Sequence, residues 1–74
     1  MHSNTEEKPV KMIDFSSLVE GDKFFAVRDK ANDDFSAYTK TTTSKDKNGG
    51  WINATNPRGM LVFIKYDTRV WVRK

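Results

Sequence analysis

Three residues near the end of the chain have the side chains and the spacing of a recognition surface. Arg69, Trp71 and Arg73 lie at every second position of the segment GMLVFIKYDTRVWVRK, residues 59–74. Side chains alternate between the two faces of a β-strand, so these three would share one face. A buried face would not tolerate two guanidinium groups, and a fully solvated face has little use for an indole. The triplet is therefore the strongest functional lead in the sequence.

Two kinds of partner fit this triplet. An exposed Trp between two cations can stack on a nucleic-acid base while the cations follow the phosphates, because alternate strand residues rise about 6–7 Å, close to a nucleotide step. Trp, Tyr and Arg are also the commonest hot-spot residues of protein–protein interfaces. An alternative gives Trp71 a structural role, packed under the N-terminal segment with the arginine stems along its edges. Further residues that would extend the same surface are Tyr38, Lys40, Trp51, Arg58 and Lys65.

Charge divides the chain into two unlike halves. Residues 1–34 hold five basic and eight acidic residues, a balance of −3, whereas residues 35–74 hold eight basic and two acidic residues, a balance of +6. This asymmetry favours an acidic partner for the second half. The alternative is that the two halves pack together and neutralise each other in part.

Length and cysteine content limit the architecture. A chain of 74 residues without cysteine makes one small domain at most, with no disulfide and no thiolate metal site. The longest apolar run, residues 60–64, is far shorter than the ~20 residues of a membrane helix. No secretory signal is visible at the start of the sequence, so we expect a cytoplasmic protein that does not enter a membrane.

Catalytic and cofactor chemistry finds no support in the sequence. The only histidine, His2, lies in a segment that is expected to be a mobile tail, so no ordered base is at hand for a serine nucleophile. The adjacent carboxylates Asp33 and Asp34 are too few for a calcium site, and Gly49-Gly50 is not followed by the Lys-Ser/Thr of a phosphate loop. We expect no enzyme activity, no cofactor and no metal.

Short strands separated by turns account for most of the chain. We expect a flexible tail over residues 1–11, a domain over residues 12–74, and one helical or 3₁₀ turn near Phe15. Clusters of Asn, Asp, Gly and Pro separate the strands. The predicted strands are residues 23–29, 36–43, 51–55, 60–65 and 69–74. Five such strands at this length predict an all-β fold, a small antiparallel barrel.

Alternation of apolar residues assigns each strand a buried face. The residues predicted to point into the core are Phe24, Ala26, Ile52, Ala54, Leu61, Phe63, Val70 and Val72. Trp51, Asn53 and Thr55 would point outward. A surplus of large apolar residues is left on the opposite faces, namely Phe25, Val27, Met60, Val62 and Ile64. Such a surplus indicates a protein contact or a homodimer interface, unless the segment with Ile13, Phe15 and Leu18 covers it.

The order of several short motifs resembles a group of small proteins encoded by tailed bacteriophages. The matching residues are Leu18, Gly21-Asp22-Lys23-Phe24, Tyr38-Thr39-Lys40, Asn53-Ala54, Gly59, Phe63 and Asp67-Thr68-Arg69-Val70. The resemblance covers the chain from Phe15 onward and implies a small SH3-like barrel, without implying one function. The Arg-Trp-Arg triplet and the loops around KANDDF and TTTSKDKNGG depart from the pattern. A phage origin would place the protein in the host cytoplasm.

These observations predict a noncatalytic, SH3-like, phage-type interaction module. Its first candidate partner is a host or phage protein, which it would bind as an adaptor or inhibitor through the aromatic and basic face that contains Trp71. The alternative is a small barrel that binds single-stranded nucleic acid or RNA on the same face. The protein is expected to be a monomer or a weak homodimer.

Overall fold

Residues 9–73 are described by a computed structural model, and they fold into six β-strands. The strands are β1 (Val10–Asp14), β2 (Lys23–Phe24), β3 (Tyr38–Lys45), β4 (Trp51–Thr55), β5 (Leu61–Val62) and β6 (Arg69–Arg73). Helical structure in this part of the chain is confined to three 3₁₀ turns, Phe15–Ser17, Arg28–Lys30 and Asp34–Ser36. The predicted all-β fold and the 3₁₀ turn at Phe15 are confirmed.

The strands form two antiparallel sheets. One sheet pairs β1 with β6, and the other has the order β2-β3-β4-β5. The sheets meet where Phe25, directly after β2, exchanges backbone hydrogen bonds of 2.8 and 3.0 Å with Trp71 of β6. The expected closed barrel of five strands is therefore wrong, because the described chain has six strands and β5 lies at an open edge of the larger sheet.

The strand that the sequence did not predict is β1, which pairs along its whole length with β6. The predicted flexible tail covered residues 1–11, and its last two residues belong to β1. Residues 1–8, including His2, lie outside the described residues. The segment Val10–Asp14 lacks a regular alternation of apolar and polar residues, and the strand depends on pairing with β6 at the other end of the chain.

The main core lies between the inner faces of the two sheets. The ring of Phe15 meets that of Phe24 edge to face at 5.2 Å, and Tyr38 stacks on Phe24 at 5.3 Å. The segment that contains Ile13 and Leu18 supplies part of this core. One alternative predicted from the sequence was that this segment covers apolar surface of the strands. The core residues are Phe15, Leu18, Phe24, Ala54 and Val70, with Ile13, Tyr38, Val62, Ile64 and Val72 packed against them.

The predicted face of β5 is reversed in the structure. Val62 and Ile64 pack on the core, whereas Leu61 and Phe63 are 55% and 46% exposed. An unbroken apolar run offers no alternation from which to choose a face. The ladder with β4 makes the choice, because it places Val62 opposite the buried Ala54.

The predicted face of β2 is correct only at Phe24. Phe25 is also buried, at 3% exposure, and Ala26 is exposed. The alternation fails because the chain leaves the larger sheet after Phe24 and pairs instead with β6. Of the predicted apolar surplus within this segment, only Val27 is exposed, at 53%.

The side chain of Asn53, predicted to point outward, is fully buried and replaces part of a strand ladder. Its Oδ1 accepts a hydrogen bond from the backbone N–H of Ile64, and its Nδ2 donates to the carbonyl oxygen of Ile64, both at 2.8 Å. β5 ends at Val62. The amide of Asn53 therefore keeps the following residues attached to the sheet.

The turn between β4 and β5 has the geometry that its sequence predicts. Asn56 Oδ1 accepts hydrogen bonds from the backbone N–H groups of Arg58 and Met60, each at 2.9 Å. Gly59 has a φ of +83°, in the left-handed region that favours glycine. This tight turn fixes the register of β5 against β4.

Candidate interaction surfaces

β6 places Arg69, Trp71 and Arg73 on one face, as their spacing predicts, because the intervening valines belong to the core. Trp71 lies between two neighbouring segments, with Met12 of β1 opposite it on one side and Phe25 on the other. The indole is partly buried. It is thus a member of a packed face, not a free stacking platform.

Arg73 fastens the loop between the two sheets, residues 26–37, onto β6. Its Nε donates to the carbonyl oxygen of Ala31 at 2.7 Å, and its Nη1 lies 2.6 Å from Oδ1 of Asp34. The guanidinium carbon lies 4.9 Å from the centre of the Phe25 ring. Phe25 and Ala31 are buried and lie outside the main core cluster, and Arg73 contacts both of them.

Arg73→Lys is expected to loosen the loop of residues 26–37, because an ammonium group cannot reach the carbonyl, the carboxylate and the ring at once. We expect a loss of about 1.5–3 kcal/mol of stability, the range for a hydrogen bond to a charged group. Amide hydrogen exchange should become faster within the loop. Arg69→Lys is the control, since the 3.0 Å pair of Arg69 with Asp14 is exposed and should contribute less than about 1 kcal/mol. Equal losses in both variants would contradict the role of Arg73.

Tyr38 and Lys40 lie on the inner side of the larger sheet. Tyr38 stacks on Phe24, as described above. Lys40 Nζ donates to the carbonyl oxygens of Phe15 and Leu18 and lies 4.7 Å from the centre of the Phe15 ring. Both side chains therefore hold the fold together and do not share a surface with Trp51 or Trp71.

The opposite side of the larger sheet carries a separate group of aromatic, apolar and basic side chains. Residues opposite each other in a ladder lie on the same face, and Lys45 pairs with Trp51 while Thr55 pairs with Leu61. Lys45 Nζ lies 5.0 Å from the centre of the Trp51 ring, and Trp51 is 56% exposed. This side of the sheet, the outer face, consists of seven residues. They are Lys23, Thr39, Lys45, Trp51, Thr55 and Leu61, together with Phe63, two residues after Leu61.

Sequence reasoning missed Lys45, Leu61 and Phe63 as surface candidates. The turn of residues 56–59 is a signal for the two apolar residues. A tight turn there places Val62 opposite the inward-facing Ala54 of β4, so that the residues on either side of Val62 point outward. Lys45 gives no signal by itself. It reaches Trp51 only because the loop of residues 46–50 closes a hairpin between β3 and β4.

Arg58 and Lys65 lie in the turns at the two ends of the β5 segment, and both are exposed. No Asp or Glu occurs between residues 56 and 66. The edge of the larger sheet is therefore flanked by positive charge. Taken together, the eight residues predicted from the sequence occupy the β6 face, the core, the outer face and these turns, and they do not form one surface.

The described residues, 9–73, have no cluster of three His, Asp or Glu side chains placed to hold a metal ion. The same part of the chain has no helix that is long and apolar enough to cross a membrane. A cavity of about 470 Å³ adjoins the loop that Arg73 fastens. Its lining residues are Lys23, Phe25, Asp34, Ala37 and Arg73.

No family model, curated protein or solved structure matches the chain.

Proposed function

We propose that this chain is a noncatalytic interaction module that binds a protein through its outer face. The observation that carries the proposal is the exposure of Trp51 and Leu61, which are 56% and 55% exposed at ladder positions of one side of the sheet, with Phe63, 46% exposed, two residues after Leu61. Grouped apolar side chains left in solvent by a small domain are typical of an interface. Trp is also among the residues most enriched in binding hot spots.

Charge on the outer face favours an acidic partner. Its ladder positions include Lys23 and Lys45 and no carboxylate. Arg58 and Lys65 add positive charge in the adjoining turns. Complementary charge raises the association rate and discriminates among partners more than it raises affinity. We therefore expect association that slows with salt and a bound state held mainly by apolar contact.

The likeness to small SH3-like proteins of bacteriophages is part of this proposal. Residues of the motifs that carry the resemblance make contacts that maintain the fold. The Gly21 N–H donates to the carbonyl oxygen of Lys40 at 2.8 Å, and the Asn53 side chain hydrogen-bonds to the backbone of Ile64. A phage-encoded chain would act in the host cytoplasm on a host or phage protein. We infer that it would act by contact, as an adaptor or an inhibitor.

Trp51→Ala is expected to abolish capture of the partner without unfolding the chain, because Trp51 is exposed and is the largest apolar side chain of the outer face. Truncation of a hot-spot Trp lowers affinity by about 30-fold or more. The measurement is a pull-down from host lysate with the tagged protein, with and without nuclease. Phe35→Ala is the control, since Phe35 is 90% exposed in the loop of residues 26–37 and is not one of the residues that define the outer face. A discrete protein that stays bound to the Trp51→Ala variant would contradict the proposal.

Single-stranded nucleic acid or RNA is the second candidate partner, favoured by the placement of Lys45 beside the exposed Trp51 ring. A base could stack on the indole while the lysine meets a phosphate. This candidate predicts that bound material disappears on nuclease treatment and that affinity falls steeply with salt. The apolar Leu61 and Phe63 contribute little to phosphate recognition, and for that reason we place protein first.

A further inference from the structure

The free edge of the larger sheet presents backbone groups that can pair with another strand. Met60 accepts a backbone hydrogen bond from the β4 side at 2.9 Å, and Ile64 exchanges two hydrogen bonds of 2.8 Å with Asn53 of β4. Backbone groups alternate in direction along an antiparallel strand, so those of Leu61 and Phe63 point away from β4. In residues 9–73 they find no partner on that side, where the sheet ends.

The edge also lacks the features that usually prevent pairing. Edge strands are commonly protected by a charged side chain, a proline or a bulge. Residues 60–64 are Met, Leu, Val, Phe and Ile, with no charge and no proline. Leu61 and Phe63 expose about half of their surface on the outer face, and Val62 and Ile64 border the core on the other face. An added strand would therefore meet apolar side chains on both of its faces.

We propose that an extended segment of the partner protein, apolar at its centre and acidic at both ends, adds to β5 as a further strand. This inference rests on the proposed function and names its mode of docking. Main-chain hydrogen bonds to Leu61 and Phe63 would supply the anchor, as in other cases of strand addition. Arg58 and Lys65, at the two ends of the edge, would meet the acidic residues of the added segment.

A second copy of this chain fits the same edge less well. Antiparallel self-pairing centred on Val62 places residue 58 of one chain opposite residue 66 of the other, and residue 59 opposite residue 65. Arg58 and Lys65 of the two chains would then be neighbours at both ends. They do not face each other directly, but like charges this close repel, which favours an acid-ended partner over self-pairing.

The test uses a fluorescein-labelled ten-residue peptide with a Val/Phe/Ile centre and two Asp or Glu residues at each end. Fluorescence anisotropy compares it with a peptide of the same centre and lysine ends. We expect the acid-ended peptide to bind at least about tenfold more tightly at low salt, since each end gains a pair of opposite charges. Amide exchange at Leu61 and Phe63 should slow when it binds.

The decisive variant is the full chain, made by chemical synthesis, with an N-methyl group on the backbone nitrogen of Leu61. This change keeps every side chain and blocks the edge, so it should weaken peptide binding at least about tenfold. N-methylation at Lys47 is the control, because in the described residues its N–H makes no hydrogen bond. Unfolding midpoints of the two synthetic proteins establish that each is folded.

Three results would overturn strand addition. The first is no binding of the acid-ended peptide, or no preference for it over the lysine-ended one. The second is peptide binding that survives N-methylation at Leu61 but is lost in Trp51→Ala, in which case the outer face binds without an added strand and the proposed function stands. The third is a dimer in sedimentation that disappears on N-methylation, which would assign the edge to a second copy. Capture of a nuclease-resistant protein does not depend on the docking mode, so it decides the proposed function separately.

Discussion

Replacing Phe24 by Ala is expected to remove most of the stability of this domain. The Phe24 side chain is fully buried and touches two other rings, that of Phe15 at 5.2 Å and that of Tyr38 at 5.3 Å. Truncating a buried Phe costs about 3–5 kcal/mol, because transfer free energy is lost and a cavity remains. The total stability of a domain is about 0.05–0.15 kcal/mol per residue, so the loss is of the same order as the whole. Urea unfolding followed by Trp fluorescence measures it.

Phe35→Ala is the matched control for the core variant, since the same atoms are removed from a side chain that is 90% exposed. Its unfolding free energy should stay within about 0.5 kcal/mol of the parent. Comparable losses in the two variants would contradict the assignment of the main core.

Asn53→Leu is expected to cause the second large loss. The substitution keeps the volume of the side chain but removes both hydrogen bonds to Ile64, and the N–H and carbonyl of Ile64 are left without these partners. Leaving buried polar groups unsatisfied costs about 1–3 kcal/mol each, so we expect a loss of about 2–5 kcal/mol. Amide exchange at Ile64 should accelerate before the rest of β4 is affected, because the segment after β5 loses its attachment to the sheet.

Asn48→Leu makes the same chemical change at an exposed position in the loop between β3 and β4. Its effect on the unfolding free energy should stay within about 0.5 kcal/mol. An Asn53→Leu variant as stable as the Asn48→Leu variant would show that the Asn53 amide does not hold the sheet together.

Turn chemistry and β-propensity were sufficient to predict the all-β class and the positions of β3, β4 and β6 within about two residues. The same rules did not predict β1, because its residues form a strand only when β6 is alongside. They also predicted longer strands for β2 and β5 than the structure has, since the local sequence does not indicate where a strand stops pairing with its neighbour. The open edge of the larger sheet likewise depends on which strands pair, and the local sequence does not predict that pairing.

The inward or outward direction of side chains was predictable only where apolar and polar residues alternate. In β6 the alternation is clear, and Val70 and Val72 lie in the core as predicted. In β5 the run is apolar throughout, and the predicted face was reversed. Asn53 was predicted to point outward because Ile52 and Ala54 were placed inward, yet its two hydrogen bonds to Ile64 allow its side chain to be buried.

The Arg-Trp-Arg triplet illustrates why a correct local pattern does not establish exposure to solvent. Its spacing does place the three side chains on one face of β6, but the neighbours of that face come from distant segments. Met12 and Phe25 flank Trp71, and Arg73 donates a hydrogen bond to the loop of residues 26–37. Two of the three residues therefore serve packing and loop anchoring, and the exposed apolar and basic group lies on the outer face instead.

The motifs that resemble small phage proteins fall on contacts that maintain the fold. Lys40 bonds to carbonyl oxygens near Phe15, and Asn53 bonds to Ile64. Gly59 supplies a left-handed residue in the turn before β5. Such residues predict a common architecture better than a common partner. The residues of the outer face that are most exposed, Trp51 and Leu61, lie outside the motifs.

The most direct test of the proposed function is an NMR footprint. The ¹⁵N-labelled protein would be titrated with the protein that a pull-down retains after nuclease treatment. Binding through the outer face predicts that the largest shift changes occur at Lys45, at the indole N–H of Trp51 and along residues 61–64, with β1 and β6 nearly unchanged. Changes centred on Met12, Trp71 and the rest of the β6 face would contradict the account and return the Arg-Trp-Arg triplet to the role of binding site.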